Sequence, residues 1–179
     1  MEMLDLDVDV NHRVMAATFL MAYCALTNGL ERGKRVVAKV QPLLSHPELT
    51  PLNQMWWRTR LGYLLWNCTE YEAAREVLKE SETIAETHGL AGSASILTLN
   101  YLYLASIGLA DYRAGEAYLR QSEALADPKR RLGVWHGVWG RIQFELGRGN
   151  ARRAAESCAQ AIDAAFDSGM VYKIGRAHV

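Results

Sequence analysis

RLGYLLWNCTEYEAAREVLKESETIA, residues 60 to 85, holds an apolar run, the short break CTE at 68–70, and a second run with a different rhythm. Counted from Ala74, the residues at plus 3, 4, 7, 10 and 11 are Val77, Leu78, Ser81, Ile84 and Ala85. Those offsets place one apolar stripe along a helix. The charged residues lie off that stripe, and Glu72 with Arg75 and Glu76 with Lys79 have the i,i+3 spacing of surface ion pairs. A break this short between two helices predicts that they pack side by side and antiparallel.

The same stripe recurs along the chain. With Gly33, Ala74, Gly115 and Ala154 as anchors, 41, 41 and 39 residues apart, the first unit supplies Val36, Val37, Val40, Leu43 and Leu44. The third supplies Tyr118, Leu119, Ser122, Leu125 and Ala126, and the fourth Ser157, Cys158, Ala161, Ala164 and Ala165. Small residues at each anchor let a neighbouring helix approach closely, and the larger ones between fill the groove. Turns TNG (27–29), CTE (68–70), LAD (109–111) and GRGN (147–150) precede the anchors, and apolar helices are expected before them at about 12–28, 51–67, 92–108 and 129–147. Gly89 and Gly169 are placed to take left-handed helix caps, Asp127 and Pro128 to start a helix, and Pro42 to end one early. Strand-like alternation is absent. The fold expected is all-α: a right-handed α-solenoid of about four antiparallel helix pairs with a period near forty, in units at about 12–46, 51–89, 91–127 and 128–169. Residues 1–11 precede the repeats as a segment that need not be ordered.

Composition narrows the function. Lys plus Arg and Asp plus Glu number 20 each, so no global field exists to hold nucleic acid or an anionic membrane. Cys24, Cys68 and Cys158 are widely spaced and odd in number, which fits free thiols in a reducing cytoplasm. The apolar stretch Val14 to Leu26 is too short for a membrane span, and NCT at 67–69 reads as a turn.

The stretch quoted first resembles a tetratricopeptide unit, with Leu61, Gly62, Tyr71 and Ala74 where that family's Leu, Gly, Tyr and Ala stand. Leu102, Tyr112 and Gly115 repeat the pattern, with Tyr103 in place of the small residue; Ala151 stands where Tyr71 and Tyr112 do. The long period and the endings THGL (87–90) and DSGM (167–170) are similar to the helical-repeat region of large ATP-dependent LuxR-type regulators related to the maltose-operon activator. That resemblance implies a non-catalytic sensor or scaffold in a bacterial cytoplasmic transcription regulator, with an NTPase upstream and a helix-turn-helix downstream. A stand-alone tetratricopeptide adaptor for a peptide or protein is the alternative, and a helical enzyme-associated domain a third. The resemblance also implies a concave groove lined by the first helix of each pair. Its residues would be Trp56, Thr59, Tyr63, Trp66 and Asn67, then Asn100 and Leu104, then His136, Trp139 and Gln143. Such aromatics and amides suit a peptide, protein or small effector. The opposing expectation is that Trp57, Trp135 and some of these aromatics pack between repeats.

No catalytic, metal or cofactor residues are expected. His12, His46, His88 and His136 lack ligand-like spacing, and GLERGKR (29–35) fails as a phosphate loop for want of the right glycine spacing, a Ser or Thr after Lys34, and a preceding strand. The tail KIGRAHV (173–179) is expected to be non-native. In one frame the common short-read sequencing adapter encodes Ile-Gly-Arg-Ala-His-Val and a stop, and it limits the residue before to Lys, Gln or Glu, which Lys173 satisfies. On that reading the gene is cut mid-frame, and the exposed end of the array is expected to drive self-association.

Overall fold

In the computed structural model, residues 8–90, 93–125 and 131–167 are described, with side chains also left aside at 93–94, 131–136 and 163–167. The described residues form eight α-helices and no strand. In chain order they are α1 (Val10–Leu26), α2 (Leu30–Val40), α3 (Pro51–Asn67), α4 (Tyr71–Thr87), α5 (Ser93–Gly108), α6 (Tyr112–Leu125), α7 (Arg131–Gly147) and α8 (Ala151–Asp167). None is long and apolar enough to cross a membrane.

Helix boundaries follow local chemistry. Asp9 caps α1 by accepting from the Asn11 and His12 amides at 2.9 and 3.2 Å, and its carboxylate also pairs with the His12 ring. That hydrogen bond holds the Asp9 pKa below its usual value. The helix therefore starts two residues before the expected boundary at 12. α2 ends at Val40, where Pro42 turns the chain into a short 3-10 segment, Gln41–Leu43. Thr50 caps α3, with Pro51 in the first turn, where its missing N–H costs nothing. The Asn11 amide ties this entry to α1: it donates to Glu48 O and accepts from the Thr50 N–H and the Asn53 amide, each at 2.9 Å.

Each pair of helices is joined by the same turn. Asn28, Thr69, Ala110 and Gly149 have φ of 58°, 62°, 58° and 75°, and they stand 41, 41 and 39 residues apart, the period of the anchors. At Thr69 the N–H bonds Trp66 O at 3.0 Å and the next N–H bonds Leu65 O at 3.0 Å; the turns at Ala110 and Gly149 repeat both bonds. This is the left-handed cap that satisfies the last helical carbonyls. Gly89 (φ 63°) closes α4 the same way, as its sequence position predicts. Gly169, Asp127, Pro128 and the tail 173–179 lie outside the described residues.

Contacts between pairs also repeat. Tyr71 packs its ring on Gly108, and Tyr112 reaches Gly147, donating its hydroxyl to the Gly147 carbonyl at 2.8 Å. Lys34 pairs with Glu70 at 3.1 Å and Arg75 with Asp111 at 4.0 Å, again one period apart. Leu64 lies against Gly33, so close that a Cβ there would fall 2.8 Å from its Cδ1. α1 packs on α2 and α3, α3 on α4 and α5, α4 on α5, α5 on α6 and α7, and α7 on α8. The core runs through these joints: Val14, Met21, Val36, Trp57 and Leu64 at one end, Leu78, Leu102, Tyr103, Leu119 and Phe144 further on. Trp57 is fully buried, in keeping with its expected packing role, and the Trp135 side chain lies outside the described residues.

Candidate functional site

The residues expected to line a groove divide into two rows. Thr59 and Asn100 are completely buried, which removes them from any accessible surface. Each turns toward the second helix of its own pair. The Thr59 hydroxyl lies 2.9 Å from Ser81 Oγ and 2.8 Å from Thr98 Oγ1 and donates to Met55 O at 3.0 Å. One period on, Asn100 Oδ1 accepts from Ser122 Oγ at 2.8 Å. Buried polar groups need such partners, and here the second and third units supply Ser81 and Ser122 at plus 7 from their anchors, while Asn100 Nδ2 has no partner among the described residues. Leu104 is also buried.

The adjacent row does gather at the surface. Trp56, Arg60, Tyr63 and Trp66 are partly exposed along α3, and Tyr101 of α5, itself buried, backs the row from the next pair. The Tyr63 ring stacks on Tyr101 with centroids 4.5 Å apart and planes 18° apart, and on Trp66 at 6.0 Å and 13°. Arg60 spans the other end: its guanidinium lies 5.6 Å from the Trp56 ring centroid, and Nη1 donates to Tyr101 Oη at 3.1 Å. Burial pushes the Tyr101 pKa up to about 12, with Arg60 opposing that rise. The phenol is therefore neutral at physiological pH and accepts from a permanently charged donor. The result is a ladder of three near-parallel rings with a cation at its edge.

Asn67 is partly buried, and its amide donates to Tyr63 O at 2.8 Å, which commits that donor to the helix end. Trp139 and Gln143 are partly buried on α7, where Trp139 packs on the core shared by α5 and α6. His136 is on α7 with its side chain outside the described residues. Arg60 and Tyr101 are the two members of the ladder that sequence reasoning missed. They occupy equivalent positions 41 residues apart, so the row one step from Thr59 and Asn100 was readable from the repeat itself.

A recess of about 380 Å³ opens elsewhere, between α4, α5 and α6, lined by Glu82, Glu86, Thr98, Leu99, Gln121 and Leu125 among others. Burial, and then the neighbouring Glu86 charge, raise the Glu82 pKa. Among the described residues no group of three or more His, Cys, Asp or Glu side chains is arranged to hold a metal. Compared with protein-family models, curated proteins and solved structures, the chain matches none.

Proposed function

We propose that the chain is a non-catalytic binding module: a right-handed, tetratricopeptide-like α-solenoid of four antiparallel helix pairs that presents the Trp56–Arg60–Tyr63–Trp66–Tyr101 ladder to a partner. The stack is supported by the repeat of turn geometry, joint contacts and ion pairs at one period. The binding role is carried by the ladder itself. The partly exposed Trp56, Tyr63 and Trp66, backed by the buried Tyr101 and flanked by a fixed guanidinium, offer stacking and hydrogen bonding to an extended peptide, a protein segment or a planar effector. Its ordering is already met by contacts within the chain, so little freedom is lost when a partner arrives.

The parent we infer is a bacterial cytoplasmic regulator of the ATP-dependent LuxR type, on the resemblance of the long repeat and its endings. Occupation of the ladder would then shift the population of array conformers and so engage the remaining domains. A stand-alone adaptor uses the same surface without those domains. The intact reading frame separates the two: repeats continuing into a helix-turn-helix favour the regulator, and a natural stop after the fourth pair favours the adaptor.

The binding role is tested by Trp66→Ala and Arg60→Ala, with peptide-array binding and circular dichroism measured on the same samples. Both variants should keep wild-type helicity and lose most of the array signal. Loss of helicity on Trp66→Ala, or an unchanged array pattern in folded variants, refutes the ladder as the binding surface.

A further inference from the structure

Successive joints between helix pairs are not filled alike. At the first, Trp57 of α3 is fully buried in the core against which Leu43 and Leu44 pack. One period on, Thr98 stands where Trp57 does and Ala85 where Leu44 does. Both of these smaller residues line the recess of about 380 Å³ between α4, α5 and α6. Side-chain volume that is lost and not refilled by neighbours leaves a cavity, and here an indole and an isobutyl group are lost at one joint.

Charge changes at the same place. Glu82 and Glu86 line the recess from α4, and they stand one period after the neutral Gln41 and Ser45. Four residues apart, they are neighbours on the helix surface. Among the described residues no Lys or Arg lines the recess, and neither carboxylate is held in an ion pair. Lys79, which opposes the rise in the Glu82 pKa, has its ammonium 3.4 Å from Glu76. Burial and the Glu86 charge both disfavour an ionised Glu82, and a cation beside it offsets both.

The remaining lining is largely apolar. Ala85 and Leu99 are buried, while Ala124 and Leu125 of α6 are exposed, Leu125 by 52%. A cavity of about 150 Å³ holds benzene, so this volume takes a body of roughly fifteen heavy atoms. None of these residues belongs to the aromatic ladder.

We propose that the recess between α4, α5 and α6 is a second binding site, for a small apolar amine whose body of one or two rings lies over Ala85, Leu99 and Leu125 and whose ammonium is held by Glu82 and Glu86. The site does not depend on the binding role of the ladder.

Isothermal titration of the full chain with 2-(1-naphthyl)ethylamine tests it, beside 1-naphthaleneethanol and 1-naphthaleneacetate, which keep the body and change the charge. The amine should bind once per chain, the alcohol about tenfold more weakly or worse for want of a charge-assisted contact, and the acid not at all. Nα-acetyl-lysine methylamide, the same ammonium without the rings, should also bind at least about tenfold more weakly. Glu82→Gln/Glu86→Gln should bring the amine down to the alcohol. Thr98→Trp, which returns the indole of the preceding joint, should abolish amine binding, and so should Ala124→Phe at an exposed lining position, with unchanged circular dichroism for the latter. Trp66→Ala should leave amine binding intact, and loss there would place the amine on the ladder and overturn the proposal. Absence of amine binding overturns it, as does equal binding of amine and alcohol or amine binding that survives in folded Ala124→Phe. Equal binding of the lysine derivative would assign the recess to a protein side chain and overturn it as well.

Discussion

Exchanging alanine and glycine between two equivalent turns, Ala110→Gly and Gly149→Ala, isolates the cost of the left-handed cap. Both residues have positive φ, 58° and 75°, at the same point of successive pairs. A Cβ at Gly149 meets no atom within 4 Å, so the alanine there changes only backbone preference. An L-residue in this conformation costs about 1–2 kcal/mol, and glycine gives back about 0.4–1 kcal/mol through the freedom of its unfolded chain. The net expectation is a gain of about 0.5–1 kcal/mol for Ala110→Gly and an equal loss for Gly149→Ala. In a chain of this length that moves Tm by roughly 1–4 °C in opposite directions. The double variant should return close to the wild-type Tm, since the sites share no contact and distant effects add. Thr69→Gly should gain at least as much as Ala110→Gly, because a β-branched residue fits this region worst; its hydroxyl bond to Cys68 O at 2.6 Å is exposed and offsets little. Thermal unfolding followed by far-ultraviolet circular dichroism reads all four. A lower Tm for Ala110→Gly, or a higher one for Gly149→Ala, would refute the reasoning.

The packing and ionisation of the joints give further expectations. Gly62→Ala drives a methyl into the fully buried Leu78 side chain, 2.6 Å from its Cδ2, and should cost about 1–3 kcal/mol in urea unfolding, with Leu78→Val recovering part of the loss. Tyr103→Phe should be neutral or stabilise by up to about 1 kcal/mol, because the Tyr103 hydroxyl is buried with no hydrogen-bond partner among the described residues; a marked loss would show that it is bonded. Raising the pH should destabilise the fold from about 10 to about 12. There the unfolded Tyr101 releases its proton while the folded one keeps it, a loss of roughly 2–3 kcal/mol from this residue, and Tyr103, also raised by burial, acts in the same direction. Tyr101→Phe should flatten that slope in urea midpoints measured against pH, and an unchanged slope would contradict it.

The helices and their period were legible because small anchors and stripe positions recur at fixed spacing, and spacing is what helix geometry converts into a face. The ending of α2 at Pro42 and the cap at Gly89 were legible for the same local reasons. Two of the left-handed turns were not, since Thr69 and Ala110 carry no residue that advertises positive φ. Their conformation is imposed by the paired carbonyl bonds that each helix end must satisfy. Of the residues expected at a groove, Trp56, Tyr63 and Trp66 are partly exposed, whereas Thr59, Asn100 and Leu104 are buried. One step along a helix rotates a side chain by about 100°, enough to turn Thr59 into the interior while its neighbour Arg60 stays partly exposed; on α5 both Asn100 and its neighbour Tyr101 are buried. The signal was present: Ser81 and Ser122 sit one period apart and oppose Thr59 and Asn100, and small hydroxyls facing polar side chains mark a buried pair.

Tyr103 shows why successive helix pairs match one another unevenly by position yet pack alike. It stands at the equivalent of Gly62, where a tetratricopeptide-like pattern expects a small residue, and it is nevertheless fully buried. Room for its ring comes from the next pair: a Cβ at Gly140 would lie 3.2 Å from Tyr103 Cε1 and 3.0 Å from Leu119 Cδ1. Volume is therefore balanced across each joint, and a large residue in one helix calls for a small one in its neighbour. Leu64 against Gly33 and Tyr71 against Gly108 follow the same rule. The polar pairs keep one hydrogen bond between the helices while Thr59 is exchanged for Asn100 and the serine opposite, Ser81 or Ser122, stays the same. What identifies a unit is thus the sum across its contact, not the residue at any one position.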